Sequence, residues 1–463
     1  MTIREEEASL NMVEEVQNNG LKRNVSGFNA YTMVVGTIIG TGIFFKPQAI
    51  FSATGTASLG LISWIIGCFL GLCGGLIVAE IGAMIPETGG LMTYIEKIYS
   101  KAWGFMVGWS QMVVFYPIRK SASAVVFGIQ ATALFALDEK YAIPIAVGLT
   151  VYLFIVNLLG NKVCDYSINI ATFLKFVPII LIIVFGLFLN TNPVEIKLFP
   201  VTVNTHPFFQ GLSISVIATL YATDGWINIT NIGGEIVEPQ KNIPKALIGG
   251  LLTVSGVYLL INIAYLRVMT PLEMAASATV ASDAAGRLFG NIGQKIVAVG
   301  ILISIMGSHT GFTRAAWRVP YALGVRGWLP FSGWFSKVSE KTQMPVNSGI
   351  FVTVLTILST ILLPNFNVLT DIGSYVIWFF YTMAFIGLFI LRKKWADVER
   401  FYKVPLYPVI PMIGVLGGVF VVISTTIYQP KIALLSVLLV VIGMPVYYIK
   451  TKKHNHPADD MYY

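Results

Sequence analysis

Apolar runs long enough to cross a bilayer recur along this chain, separated by short polar stretches. Twelve such runs fall at about 28–51, 58–84, 103–134, 142–160, 167–189, 207–232, 246–269, 294–323, 346–363, 372–391, 405–427 and 431–449. About 20 apolar residues wound as a helix cross the ~30 Å hydrocarbon core. Inside that core a backbone must satisfy its own polar groups, which favours helices. The pattern therefore predicts an all-α membrane protein with twelve transmembrane helices, here numbered spans 1–12.

Two runs break the pattern. Span 1 carries Gly36-Thr37-Ile38-Ile39-Gly40-Thr41-Gly42-Ile43-Phe44. Glycines at 36, 40 and 42 weaken a helix interior. A broken helix at mid-membrane is one reading, with half-helix ends free to bind a ligand. Close helix packing through small residues is the other. Span 6 carries Tyr221-Ala222-Thr223-Asp224-Gly225-Trp226-Ile227-Asn228, a carboxylate and a glycine inside an apolar run. Spans 1 and 6 each head a set of five. Paired interruptions at corresponding positions point to an inverted-repeat transporter with its site at the breaks. This divides the chain into a tail at 1–26, one transporter domain at 27–450 and a tail at 451–463. Within the domain, repeat one covers about 27–190, repeat two about 207–392, and two extra helices about 405–450.

Composition agrees with a membrane chain. Of 463 residues 55% are hydrophobic and only 12% charged, against about 25% in soluble proteins, and the mean hydropathy is +0.74. The net charge of +8 has a topological rather than a nucleic-acid origin. With the N-terminus inside, cytoplasmic loops hold Lys22, Arg23, Lys97, Lys101, Lys162, Lys241, Lys245, Arg326, Lys337, Lys341, Arg392, Lys393, Lys394, Arg400 and Lys403, and the C-terminal tail adds more. The external side holds few, among them Lys46 at the outer end of span 1 and Lys140. That asymmetry predicts a multi-pass protein of the inner (plasma) membrane with both termini cytoplasmic. The polar first 26 residues lack the apolar core of a cleavable signal.

Catalytic and metal signatures are missing. There is no HExxH, GxSxG or P-loop, and His206, His309, His454 and His456 form no ligand set. The expectation is no enzyme activity, no metal and no cofactor. Cys68 and Cys73 fall in span 2 and Cys164 at the start of span 5, none in an external loop, so no disulfide-linked heavy subunit is expected.

What the breaks could bind follows from helix electrostatics. A half-helix N-terminus presents free N–H groups and suits a carboxylate; a half-helix C-terminus presents carbonyls and suits an ammonium. An α-amino acid carries both. Gly40, Thr41 and Gly42 are placed at the carboxylate, and carbonyls of Ile38, Tyr221 and Asp224 at the amine. Other intramembrane charges are Arg119 and Lys120 in span 3, Lys175 in span 5, Arg267 in span 7 and Arg314 and Arg318 in span 8. Such groups usually face a cavity or a partner. Glu80 and Glu235, near the cytoplasmic ends of spans 2 and 6, suit structural ion pairs. On a helix Tyr116, Arg119, Lys120 and Ser123 share one face, where the cations could meet a substrate carboxylate or neutralise Asp224.

Gly40-Thr41-Gly42-Ile43-Phe44, Glu80-Ile81-Gly82-Ala83-Met84-Ile85-Pro86-Glu87-Thr88-Gly89-Gly90, and Tyr221 to Trp226 with Gly233-Gly234-Glu235 and Pro239-Gln240-Lys241-Asn242-Ile243-Pro244 together resemble the amino acid–polyamine–organocation superfamily. Within it the chain is most similar to L-type amino-acid transporters, in particular the bacterial serine/threonine exchanger branch. The resemblance implies a LeuT-type five-plus-five fold with spans 1 and 6 discontinuous, alternating access and obligatory exchange. It implies that Tyr221 gates the site from outside. It also implies that the Lys175 ammonium stands where sodium-coupled relatives hold an ion; a packing cation is the bland alternative. Three positions depart from the pattern: Thr41 replaces serine, Thr310 stands where many relatives have asparagine, and Tyr116 precedes Pro117 where some have arginine. Tyr116, Arg119, Lys120 and Thr310 are therefore selectivity candidates. The expected function is sodium-independent exchange of small neutral L-amino acids (serine, threonine, alanine) across the bilayer. The alternative is an exchanger of acidic or larger neutral amino acids using Arg119 and Lys120. A channel would need a selectivity filter, and a sensor would carry an output domain; neither pattern is present.

Overall fold

The computed structural model describes residues 23–199, 201 and 205–451, so the tails read at 1–26 and 451–463 lie almost wholly outside it. Span 1 is two helices, α1 (Gly27–Ile38) and α2 (Gly42–Thr54). Ser26 caps α1 by accepting the Asn29 N–H at 3.2 Å, which satisfies one of the free amides of a first turn. Span 2 is α3 (Ala57–Met84), followed by a short α4 (Leu91–Ile98) that the hydrophobic pattern did not reveal. Span 3 is α5 (Lys101–Ser110) and α6 (Tyr116–Phe135), joined through a π-helical turn at Gln111–Phe115. Spans 4 and 5 are α7 (Ala142–Leu158) and α8 (Asn161–Val184).

In the second half, span 6 is α9 (Phe208–Thr223) and then a 3-10 segment, Trp226–Asn231. Span 7 is α10 (Pro239–Val268). A short α11 (Pro271–Ala276) leads into α12 (Val280–Val325), which kinks at Gly290 and continues as span 8. After α13 (Ser332–Phe335) come span 9, α14 (Val346–Leu362), and span 10, α15 (Phe366–Lys394). Spans 11 and 12 are α16 (Val409–Tyr428) and α17 (Pro430–Val441) with α18 (Gly443–Thr451). Among the described residues the only β pairing is two isolated bridges, Val25 with Ile236 and Thr88 with Ile232.

The packing reproduces itself when each span of the first five is exchanged for its counterpart in the second. Span 1 packs on span 7 as span 6 packs on span 2. Spans 5 and 8 pair as spans 10 and 3 do, and spans 3 and 4 as spans 8 and 9 do. Spans 2 and 7, the self-related pair, pack extensively. Such exchange symmetry is what two structurally equivalent repeats require, and the fold is the all-α, LeuT-type membrane architecture predicted. Spans 11 and 12 lie against span 10, outside the symmetry.

The lipid and core faces separate by helical period. On α8, Phe173, Val177, Ile180 and Val184 are exposed, whereas Ile168, Thr172, Lys175, Ile179 and Ile182 are buried. An exposed apolar stripe and a buried opposite face are what a span at the rim of a bundle presents. Lys175 thus points inward, toward span 1.

Candidate substrate site

α1 ends where Ile39 takes φ −70°, ψ 93°, and α2 begins after Thr41. The first α2 amides to bond backward are those of Phe44 and Phe45, both to the Thr41 carbonyl, so the preceding amides form an open first turn. α9 ends at Asp224, with φ −82° and ψ 157°, and Gly225 follows at φ 129°. That left-handed value favours glycine because a Cβ would clash with its own backbone. The two breaks face each other. Thr37 Oγ1 donates to the Gly225 carbonyl at 3.2 Å. The Tyr258 hydroxyl, from span 7, lies 3.0 Å from the Ile38 carbonyl and 3.2 Å from that of Ala222, bridging the ends of α1 and α9.

Both readings of the span 1 glycines hold together. The helix is broken, and the glycines also permit close approach. A Cβ on Gly42 would lie 2.5 Å from Ala222 Cα, and one on Gly40 would lie 2.8 Å from Ser308 Oγ. Breaking and packing are coupled because the two half-helices can meet only through small residues.

Lys175 reaches the first break. Its buried Nζ donates to the carbonyls of Gly36 and Ile39, each at 2.7 Å, and lies 3.4 Å from Ser308 Oγ. Ser308 Oγ is itself 3.3 Å from Gly36 O and 3.0 Å from Ile39 O. The cation therefore occupies the carbonyl cage that unwinding α1 creates.

Arg119 reaches the second break. Its Nη1 bonds Asp224 Oδ2 at 2.6 Å, and its Nη2 bonds the carbonyls of Asp224 at 2.8 Å and Tyr221 at 3.3 Å. The other Asp224 oxygen accepts from the Tyr381 hydroxyl at 2.9 Å. Of the two adjacent cations, Arg119 is the one that neutralises Asp224; Lys120, also buried, is not the partner. Of the expected amine acceptors, Tyr221 and Asp224 hold Arg119, and Ile38 holds Tyr258. Tyr116 donates to Asn228 Oδ1 at 2.9 Å and accepts from Asn231 Nδ2, so it ties span 3 to the 3-10 segment below the break. Thr310 spends its hydroxyl on the Met306 carbonyl of its own helix, at 2.9 Å.

The site is closed on both sides. On the face where α2 ends, the Tyr221 hydroxyl lies 3.4 Å from Thr41 Oγ1, and the Tyr221 ring meets Phe366 edge-on. Lys46 completes this closure. Sequence reading placed it at the outer end of span 1, yet it is buried. Its Nζ bonds Thr370 Oγ1 at 2.7 Å and Asn367 Oδ1 at 3.1 Å and sits 5.1 Å from the Tyr221 ring centre. A recess of about 260 Å³ lies beside Lys46, Asp371, Gln48 and His206. Its partners lie on span 10, so its place in the closure leaves no trace in the composition of span 1. On the face where α1 begins, the amides of Asn24 and Val25 donate to the Glu235 carbonyl at 3.0 and 2.9 Å. Glu235 in turn binds Arg318 Nε at 2.6 Å and Arg314 at 3.5 Å. Glu80 pairs with Arg392 at 2.6 Å and Arg400 at 3.5 Å. These are the structural ion pairs expected of the two glutamates.

A two-repeat helical bundle with facing mid-membrane breaks, closed at both ends, defines a membrane permease for a small polar solute. The chain belongs to the amino acid permease family, whose model matches residues 25–449. It is similar to the serine/threonine exchanger SteT of Bacillus subtilis, with 37% identity over 438 residues, covering 94% of this chain and 99% of that protein. It is also similar to human b(0,+)-type amino acid transporter 1, with 29% identity over 96% of this chain and 91% of that protein. The human cystine/glutamate transporter matches at 29% identity over 94% of this chain and 86% of that protein. The protein is thus a multi-pass amino-acid transporter and not an enzyme.

Proposed function

We propose that this permease is a sodium-independent, obligatory exchanger of small neutral L-amino acids, serine, threonine and alanine foremost. It works by alternating access in the plasma membrane with both termini cytoplasmic. The observation that carries the reading is the Lys175 ammonium, 2.7 Å from both Gly36 O and Ile39 O. A covalently held cation in that cage leaves no task there for a sodium ion. The open first turn of α2 at Thr41 and Gly42 takes the substrate carboxylate, and the Ile38 carbonyl at the end of α1 takes the amine, since the Tyr221 and Asp224 carbonyls hold Arg119. Tyr221 and Lys46 form one gate, and Glu235 with Arg314 and Arg318 the other. Similarity to a serine/threonine exchanger and the extra methyl of Thr41 favour a small side chain. Cys68, Cys73 and Cys164 are all buried, which supports a transporter that needs no disulfide-linked subunit. The acidic-substrate alternative loses ground because Arg119 is committed to Asp224.

Counterflow in proteoliposomes tests the proposal. Labelled serine should enter only when unlabelled serine, threonine or alanine is trapped inside, at equal rates in sodium and choline. Net uptake into empty vesicles, or stimulation by sodium, would overturn it.

A further inference from the structure

We propose that the side-chain end of the substrate site is a cation cage already filled by the protein's own Arg119, and that this occupancy excludes cationic amino acids. With Arg119 truncated, the same cage takes the guanidinium or ammonium of an arginine or lysine substrate. The inference rests on the proposed placement of substrate at the breaks of spans 1 and 6.

The cage is complete around the distal end of the guanidinium. Asp224 Oδ2 and the carbonyls of Asp224 and Tyr221 accept its N–H groups. The rings of Tyr221 and Phe312 flank it at 4.5 and 4.7 Å from Cζ, with Phe115 at 5.8 Å. Carboxylate, helix C-terminal carbonyls and aromatic faces are the three kinds of group that attract a cation in a dry site. Arg119 Nε, on the stem side, has no partner. The surroundings thus match the terminal part of a guanidinium group and not the stem that delivers it from span 3.

Removing one partner of a buried ion pair leaves the other charge uncompensated, so in R119A the buried Asp224 carboxylate is left in want of a cation. Asp224 is also held at its second oxygen by Tyr381, so the carboxylate stays in position when the arginine is gone. Distance permits the exchange of occupants. The Tyr221 ring touches both subsites, its hydroxyl 3.4 Å from Thr41 Oγ1 and its centre 4.5 Å from Arg119 Cζ. An amino acid anchored at Thr41 and Gly42 with a long cationic side chain spans that gap, and one with a short neutral side chain stops before it.

The test compares wild type, R119A and the double variant R119A/D224N, each purified as the full chain. Thermal midpoints are read with L-serine, L-arginine and methylguanidinium, and serine exchange is measured in proteoliposomes. R119A should bind arginine about tenfold or more tighter than wild type, the worth of one charge-assisted hydrogen bond. R119A/D224N should lose that gain. Arginine binding to R119A no tighter than to wild type, or a gain that survives in R119A/D224N, overturns the proposal. Should R119A be unstable, methylguanidinium must raise its midpoint while leaving R119A/D224N unmoved; failure to do so also overturns it. Thermal shift does not depend on transport, so wild type that fails to exchange serine refutes the proposed function separately.

Discussion

Replacing Lys175 with methionine separates the positional role of its ammonium from the packing role of its side chain. Lys175 makes two bonds of 2.7 Å to buried carbonyls. Hydrogen bonds involving a charged group contribute about 1.5–3 kcal/mol each, so about 3–6 kcal/mol of gross interaction disappears. The variant is also relieved of burying an ammonium, a penalty of several kcal/mol. These terms nearly cancel, and the thermal midpoint of K175M should move by only a few degrees. The break itself does not escape. Gly36 O and Ile39 O keep only Ser308 Oγ, which lies within reach of both but has one proton, is also 2.9 Å from the Ser304 carbonyl, and serves at most one of the two at a time. One buried carbonyl is left unpaired, at about 1–3 kcal/mol, and that strain falls on the geometry that presents Thr41 and Gly42. At 1.4 kcal/mol per factor of ten, counterflow of labelled serine should slow by about 10- to 100-fold. K175M that exchanges within about twofold of wild type, a difference of under 1 kcal/mol, refutes the positional role. A large midpoint drop with proportionate loss of activity would show a packing cation instead.

Two further variants probe the closure and the helix crossing. Arg318→Met strips two bonds, at 2.6 and 3.1 Å, from the buried Glu235 carboxylate and leaves Arg314 at 3.5 Å; breaking a buried pair costs about 3–5 kcal/mol, so a differential scan should show a clearly lower midpoint, and an unchanged one would remove this cluster from the closure. Gly42→Ala puts a methyl 2.5 Å from Ala222 Cα, an overpacking of about 1–3 kcal/mol; because the nearest atom is backbone, the added change Ala222→Gly should not restore exchange, and full restoration would refute the close-crossing argument.

How much was legible in advance differs by feature. Span positions came directly from hydropathy, since the bilayer imposes both the length and the apolar character of each crossing. The short helices α4 and α11 did not show, because a few turns at the membrane surface carry no comparable constraint. Both breaks were legible, since glycine and a carboxylate are costly inside lipid and stand out against their neighbours. Lys175 was also legible as a cation that must find a cavity or a partner, because an isolated cation at bilayer depth needs acceptors.

The pairings were less legible. Arg119 and Lys120 are adjacent and chemically alike in the sequence. Which one meets Asp224 depends on the rotation of α6 about its axis, set by side-chain packing across spans 3, 6, 8 and 10. Lys46 looked like an interfacial residue because its partners Asn367 and Thr370 lie more than 300 positions away. By itself, then, the sequence determined that this is an α-helical membrane transporter with facing breaks in spans 1 and 6, because solvent-like lipid penalises every exception to an apolar helix locally. Only the tertiary structure decided which charges fill those breaks, because an ion pair is made by the three-dimensional approach of two helices and leaves no periodic trace in either one.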